Sequence, residues 1–134
     1  MADESGFGVM RPMARPLRQL VGLALDTDTE ARTENGLRRT RCLHCRAHLT
    51  VARDGTPLGT STLEHIVPRS WFGRRAAADL TRTLTGPDDP GNLAIACARC
   101  NQQKGRGPDA AGPANARAHE IVSALMARRR ARLR

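Results

Sequence analysis

Two Cys-x-x-Cys pairs limit the possible folds of this chain more than any other feature. Cys42 and Cys45 form the first pair, Cys97 and Cys100 form the second, and residues 46–96 separate them. Four thiolates can surround a zinc ion tetrahedrally and leave it no open position, so the pattern predicts a structural rather than a catalytic zinc. Redox-active or unligated thiols are the alternative, and His44 could replace one cysteine as a ligand.

The composition indicates a small core that needs such a staple. The 134 residues suffice for one small domain with tails, and the only aromatic residues are Phe7, Trp71 and Phe72. Zinc binding contributes about 10–16 kcal/mol in small modules and could supply the missing stability. We expect Trp71 and Phe72 to pack in the core; stacking on a base is the alternative.

The charge of the chain favours a nucleic-acid partner. The formal net charge is +9, and every basic residue except Lys104 is arginine, whose planar guanidinium matches phosphate. The N-terminal residues 1–36 are net acidic, so the positive charge belongs to the centre and the C-terminus.

The N-terminal region lacks the pattern of a secreted or membrane protein. Asp3 and Glu4 are acidic, and the apolar run of residues 20–25 is too short for a signal core or a membrane span. We therefore expect a reducing cytoplasmic location, where paired thiols more often bind metal than form disulfides.

Helical periodicity near both ends of the sequence divides the chain into three predicted regions. An apolar stripe predicts a short helix over residues 16–25, after a loose tail of residues 1–15. A second stripe predicts a longer helix over residues 114–130. The predicted parts are residues 1–36 (tail and short helix), residues 37–112 (the central domain) and residues 113–134 (a basic C-terminal helix). The C-terminal arginines are either a solvated helix terminus or a phosphate-contacting tail.

Short strands are expected in the central domain, which makes the fold class α+β. We predict a strand over residues 47–52, turned back at Asp54-Gly55 onto a return strand over residues 60–67, and a further strand over residues 93–96. A helix should begin at residues 100–104 and close at Gly105 or Gly107. Residues 74–84 could be a helix or a basic loop, and residues 86–91 are a turn-rich connection.

Residues suited to phosphodiester hydrolysis lie between and beside the cysteine pairs. An imidazole such as that of His65 can take a proton from water near neutral pH, and a hard cation would balance the phosphate charge. Glu64 and Asn101 offer the oxygen ligands that such a cation prefers. Adjacent strand residues point to opposite faces, so Glu64 and His65 can serve one site only if the strand twists or ends there, as Pro68 allows.

The order of these motifs resembles the HNH endonuclease family. The motifs are Cys-x-x-Cys, then Leu-Glu-His-Ile-Val-Pro-Arg-Ser, then Gly-Asn-Leu, then Cys-x-x-Cys-Asn-x-x-Lys-Gly, over about residues 41–107. The resemblance implies a small ββα-metal domain, here stapled by a four-cysteine zinc with flanking helices at both ends. It also implies that the chain is a metal-dependent endonuclease that cuts or nicks DNA.

The resemblance assigns roles to four residues. It implies that His65 is the general base, that Glu64 and Asn101 bind a catalytic divalent ion, and that Asn92 supports the loop and orients His65. Asn101 stands where the family often has histidine, and its oxygen suits Mg²⁺ or Mn²⁺ rather than zinc or nickel. Asn92 could instead be only a turn residue, and Asn101 only a helix cap.

Basic residues beside the expected site are candidates for phosphate contacts. These candidates are Arg69, Arg74, Arg75, Arg99, Lys104 and Arg106. His48 and His119 are expected to face solvent. A zinc-ribbon module that binds nucleic acid or a partner protein without cutting is the alternative function, because it would share the cysteines and the positive charge.

Overall fold

The computed structural model describes residues 15–134, which form a mixed α and β fold. The tail predicted for residues 1–15 therefore lies, except for its last residue, outside the described residues. The helices are α1 (Leu17–Asp26), α2 (Ala78–Thr81), α3 (Ala98–Lys104) and α4 (Ala116–Arg132). The strands are β1 (Arg32–Glu34), β2 (Leu37–Arg41), β3 (His48–Ala52), β4 (Pro57–Leu58), β5 (Ser61–His65) and β6 (Leu93–Cys97). The α+β class and the flanking helices agree with the sequence.

A hairpin that the sequence analysis overlooked precedes the first cysteine pair. Strands β1 and β2 pair antiparallel and are joined by Asn35 and Gly36, whose φ angles are 52° and 77°. Two successive residues with positive φ make the turn that matches the twist of a hairpin, and Asn-Gly is its strongest sequence signal. The division predicted between residues 36 and 37 thus falls inside a hairpin.

The central strands form two separate sheets. The antiparallel order β1-β2-β3-β4 makes the first sheet, and β5 with β6 makes the second. The predicted turn follows β3, but the chain pairs with β3 only over Pro57–Leu58. The expectation that residues 60–67 return along β3 was wrong. Pro57 has no N–H to extend the ladder, and β5 instead pairs with β6, from Ser61 opposite Cys97 to His65 opposite Leu93.

Both flanking helices contribute to the core. Leu20, Val21, Ala24 and Leu25 of α1 are buried in a cluster that includes apolar residues of β3 and β6. A second cluster joins the apolar face of α4 to α2 and to Trp71, which is fully buried. Core packing of Trp71 is thus confirmed, and its Nε1 donates to the carbonyl of Asp109 at 3.2 Å.

Helix α3 begins earlier and continues further than predicted. It begins at Ala98, and a π-helical turn over Gly105–Asp109 follows it without a break. A glycine closes a helix when it takes positive φ, but Gly105 keeps φ −61° and ψ −43°. Gly112, with φ +90°, is the residue at which the chain leaves the helical path. The predicted closure at Gly105 or Gly107 was therefore wrong.

Two further segments, residues 74–84 and the C-terminal end of α4, had two interpretations each in the sequence. Residues 74–84 contain a 3-10 turn over Arg75–Ala77 followed by the short α2. In α4, Asn115 caps the N-terminus and accepts from the N–H of Ala118 at 2.9 Å. Arg129 and Arg132 near the C-terminus of α4 are 2% and 8% exposed, so neither is a solvated terminus or a phosphate-contacting tail. No helix within residues 15–134 is long and apolar enough to cross a membrane.

Candidate functional site

The four cysteine side chains converge as the sequence predicted. Cys42 and Cys45 flank the turn between β2 and β3, Cys97 ends β6, and Cys100 lies in the first turn of α3. Their sulfur atoms all lie within 4.8 Å of one another, and Cys45 Sγ is 3.9 Å from Cys97 Sγ. Tetrahedral zinc with bonds of about 2.3 Å requires sulfur atoms about 3.8 Å apart. The cluster can therefore hold one zinc ion.

The surroundings of the thiols also suit a cation. The backbone N–H groups of His44 and Cys97 point at Cys42 Sγ at 3.4 and 3.3 Å, which favours a thiolate. Burial, with hydrogen bonding to Cys97 and Cys45, raises the pKa of the Cys100 thiol to about 12. The Cys100 thiol therefore stays protonated on its own, and a coordinated divalent ion reverses that preference.

Glu64 is fully buried and is bound by His44 of the first cysteine turn, residues 42–45, which we call the zinc knuckle. Its side chain is 0% exposed, and its two carboxylate oxygens lie 2.7 and 2.9 Å from Nε2 of His44, one of the two residues between Cys42 and Cys45. The ammonium of Lys104 lies 3.5 Å from the same carboxylate. His44 is thus a partner of Glu64 that the sequence analysis treated only as a possible zinc ligand. The thiols account for all four zinc positions without it.

Lys104 has an internal role rather than the predicted phosphate contact. Its side chain is 2% exposed, and Nζ donates to the backbone oxygen of His65 at 3.1 Å and to Asp109 at 2.9 Å. Burial raises the pKa of Asp109 despite the nearby Lys104 charge. Because all these contacts lie inside the protein, they favour a structural role for Lys104 over the predicted phosphate contact.

His65 faces a different environment from Glu64. Its Nε2 lies 2.8 Å from Asp88 Oδ1, and Arg69 donates to the same oxygen at 2.9 Å. Burial opposes ionisation of Asp88, but the bond from His65 and the Arg69 charge outweigh it and lower the pKa of this carboxyl. The His65 side chain remains 21% exposed. Asp88 was missed because its segment was interpreted only as a turn-rich connection.

Asn92 joins the loop to the end of β5. It is fully buried, its Oδ1 accepts from the Val67 N–H at 2.8 Å, and its Nδ2 donates to the carbonyls of Val67 and Pro87 at 3.1 and 3.0 Å. These bonds join the chain just after His65, at Val67, to the chain just before Asp88, at Pro87. Asn92 therefore does more than form a turn.

Asn101 lies inside α3 and is not its cap, since the N-cap is Cys97. Its Nδ2 donates to Thr62 Oγ1 at 3.0 Å and to the carbonyl of Leu63 at 3.1 Å, so its amide oxygen is the atom that a ligand could use. Thr62 and Glu64 are two residues apart on β5 and share a face. Asn101 therefore approaches the Glu64 face of the strand, whereas His65 belongs to the other.

This donor set fits a hard divalent ion in its chemistry. A carboxylate has about four lone-pair positions, so the contacts of Glu64 with His44 and Lys104 leave capacity for an ion. The amide oxygen of Asn101 is a second hard donor on the same face of β5. Within the described residues, the hydrogen bonds and ion pairs do not join His65 to Glu64 or Asn101 through their side chains.

The other predicted phosphate contacts are exposed at the surface. They are Arg69, Arg74, Arg75, Arg99 and Arg106. His48 is exposed as expected, whereas the half-buried His119 binds Asp79 at 2.9 Å.

Comparison with known proteins gave one match. Residues 42–107 match the family model described as HNH endonuclease. No curated protein and no solved structure matched the chain. The matched segment contains both cysteine pairs and the residues Glu64, His65, Asp88, Asn92 and Asn101.

Proposed function

Because this chain belongs to the HNH endonuclease family through its residues 42–107, we propose that it hydrolyses phosphodiester bonds of DNA in a metal-dependent reaction. The observation that carries the proposal is the pairing of a partly exposed imidazole, His65, with an ionised carboxylate, Asp88. A histidine held in this way within a nuclease family is suited to proton transfer with water.

The hydrogen bond from His65 to Asp88 determines which imidazole nitrogen is free to accept a proton. Asp88 has a pKa below its usual value, so at neutral pH its carboxylate accepts a hydrogen bond. Nε2 of His65 must then carry the proton, which leaves the lone pair on Nδ1. We assign Nδ1 as the atom that takes the proton from the attacking water, with Asp88 fixing the tautomer and stabilising the imidazolium that forms.

Two metals belong to the proposal. The four cysteines would hold a structural zinc, and Glu64 and Asn101 would hold a catalytic Mg²⁺ or Mn²⁺. The second ion would supply charge balance for the phosphate oxygens and the leaving oxygen. Lys104 and His44 orient Glu64, and Asn92 holds the loop that carries Asp88. The zinc site also favours a reducing compartment such as the cytoplasm, where thiols stay available for metal.

DNA is the proposed partner, bound through its backbone. The exposed residues Arg69, Arg74, Arg75, Arg99 and Arg106 could contact phosphates around His65 and α3. The division into residues 1–36, 37–112 and 113–134 stays a prediction, and because its first boundary falls inside the β1–β2 hairpin the assays use the full chain.

A plasmid assay tests the proposal. We expect the zinc-loaded protein to convert supercoiled plasmid to nicked or linear DNA when Mg²⁺ or Mn²⁺ is added, and His65→Ala to lose this activity while binding DNA normally. General-base removal costs about 10²–10⁴-fold in rate. His119→Ala is the matched control, because His119 also pairs with an aspartate but lies outside the matched segment.

The alternative is a zinc-ribbon module that binds DNA without cutting. The observation that favours it is the placement of Glu64 and His65 on opposite faces of β5, with Glu64 already bound internally. Normal DNA binding without nicking in either metal would support this alternative. Equal nicking by wild type and His65→Ala would remove His65 from the mechanism.

A further inference from the structure

The four-stranded sheet, whose strands β1 and β2 precede the family-matched segment, has an uncovered face rich in arginine. In β2, Thr40 is buried and its neighbours Arg39 and Arg41 point to the opposite face. Across the ladder, Arg39 pairs with Arg32 of β1 and Arg41 pairs with His48 of β3. These four side chains therefore lie side by side on one face, which we call the arginine face.

The arginine face carries a like-charge pair that folding does not require. Arg32 and Arg39 are direct cross-strand neighbours, and like charges in this position destabilise a sheet. Arg39 Nε binds Glu34 at 3.0 Å, which balances one of the two charges. Arg32 is exposed and has no carboxylate partner among the ion pairs of the described residues. A polyanion would remove this repulsion.

Shallow hollows extend from this face toward the zinc knuckle. The first, of about 270 Å³, is lined by Arg32, Arg39, Arg41 and His48 together with Glu30 and Glu34. A second hollow shares Glu30 and is lined by Arg46 and Arg128, and a third shares His44 with the second and reaches Lys104. Arg132 also lines the second hollow but is bound to Asp28.

The charge along the first two hollows is positive. Apart from Arg132, their walls contain five arginines against two glutamates, a balance of +3. Glu30 and Glu34 are both bound to arginines of the same walls, Arg46 and Arg39. The surface is therefore complementary to a chain of phosphates rather than to a single anion.

We propose that the arginine face is a second DNA-binding surface, which holds the duplex backbone beside the zinc knuckle and leads it toward the Glu64 side of the domain. The proposal rests on the proposed function for its choice of DNA. The three arginines of this face, Arg32, Arg39 and Arg41, lie outside residues 42–107, so that substrate binding depends on a hairpin that the matched family segment does not include.

The test compares two variants that remove the same charge. Arg32→Gln/Arg39→Gln removes the like-charge pair, and Arg18→Gln/Arg117→Gln removes two exposed arginines that do not line these hollows. Arg117 is 11 residues from Arg128 on α4, about 16 Å along the helix. Binding of a short labelled DNA duplex to the zinc-loaded protein is measured by anisotropy over roughly 50–200 mM salt, without added Mg²⁺ or Mn²⁺.

We expect the slope of log Kd against log salt to fall by about 1.8 for Arg32→Gln/Arg39→Gln, with binding about 10- to 60-fold weaker near 0.1 M salt. The control should change the slope by much less. The melting temperature of the first variant should change little, because the loss of the Arg32–Arg39 repulsion offsets the loss of the exposed Arg39–Glu34 ion pair.

Three outcomes would overturn the proposal: an unchanged slope, an equal loss in the control, or displacement of the duplex by polyglutamate as effectively as by unlabelled DNA. The last would indicate an acidic protein partner. The binding assay needs no cleavage, so it separates the two proposals. If wild type nicks DNA but Arg32→Gln/Arg39→Gln leaves the salt slope unchanged, only the second binding surface is rejected. If the variant lowers the slope but wild type never nicks DNA, only the proposed nuclease activity is rejected.

Discussion

Asp88 is the residue on which the proposed chemistry of His65 depends most directly. It accepts from His65 at 2.8 Å and from Arg69 at 2.9 Å, and its bonds keep its pKa low despite partial burial. The carboxylate therefore stays charged throughout the neutral range, where it can hold the imidazole in one tautomer. Without Asp88, His65 would keep its position on β5, but its imidazole proton would no longer be held on Nε2.

Asp88→Asn should reduce plasmid nicking by about 10- to 10⁴-fold; the lower end is the cost of removing the partner of a metal-bound histidine, and the upper end is that of removing the aspartate that fixes the tautomer of a catalytic histidine. An amide can bond His65 in either tautomer, so the rate constant should fall while DNA affinity is retained. Single-turnover nicking and anisotropy measure the two effects separately. Asp79→Asn, which removes the partner of His119, should change neither. Equal rates for Asp88→Asn and wild type would show that Asp88 does not orient the base.

Glu64 and His65 could be predicted from the sequence, but their partners could not. A glutamate and a histidine at a strand end, between two cysteine pairs, form a recognisable local pattern. Their partners His44 and Asp88 lie 20 and 23 residues away in sequence. Contacts of this kind depend on how the knuckle and the loop fold back on β5, and no local pattern encodes them.

Helix α4 is held to the rest of the chain by two buried arginines. Arg132 binds both oxygens of Asp28 at 3.2 and 2.8 Å and also reaches Thr40, and Arg129 donates to Thr27 Oγ1 and to the carbonyls of Ala24 and Pro90. Burial lowers the pKa of Arg129. Positions 118, 122, 125, 129 and 132 continue one helical stripe. Their spacing thus indicated a buried face, which the residue type concealed.

Replacing Arg132 should destabilise the protein strongly. Arg132→Met leaves the Asp28 carboxylate buried without its partner, and breaking such a pair costs about 3–5 kcal/mol. Arg130→Met, at an exposed neighbouring position, should cost little. Urea unfolding at neutral pH measures both changes in the free energy of unfolding. A similar loss in the two variants would mean that the pair contributes nothing specific.

The same pair predicts an acid dependence of stability. Burial opposes ionisation of Asp28, but its bonds to Arg132, Thr40 and the Glu30 amide outweigh it and lower its pKa. A carboxyl whose pKa is lower in the folded state stabilises the protein above its unfolded pKa, about 3.9, and loses that contribution as pH falls through the folded pKa. The difference between wild type and Arg132→Met should therefore shrink below about pH 4. A difference that stays constant with pH would contradict this assignment.

The whole molecule consists of two modest apolar clusters connected by elements that meet at the four cysteines. One cluster lies under α1 and the other under α4, and the cysteines join the turn after β2 to the start of α3. The class of fold and the cysteine cluster could be predicted because the spacing of cysteines is a strong constraint. The β1–β2 hairpin had a local signal in Asn35-Gly36 that was overlooked. The pairing of β5 with β6 had none, since it depends on which partner buries each strand after the chain collapses.

Zinc removal is expected to unfold this protein rather than merely inactivate it. Structural zinc contributes about 10–16 kcal/mol in small modules, which equals or exceeds the roughly 5–15 kcal/mol of a typical domain. A strong chelator should release a single zinc ion, abolish the cooperative thermal transition and expose four reactive thiols, and Cys100→Ser should bind zinc less tightly. Circular dichroism and thiol titration follow these changes together. If all four thiols react before the chelator is added, and the chelator does not change the melting temperature, the result would instead support a redox dithiol protein. Thiolates bound to zinc are protected from the reagent, whereas unligated thiols are free to react.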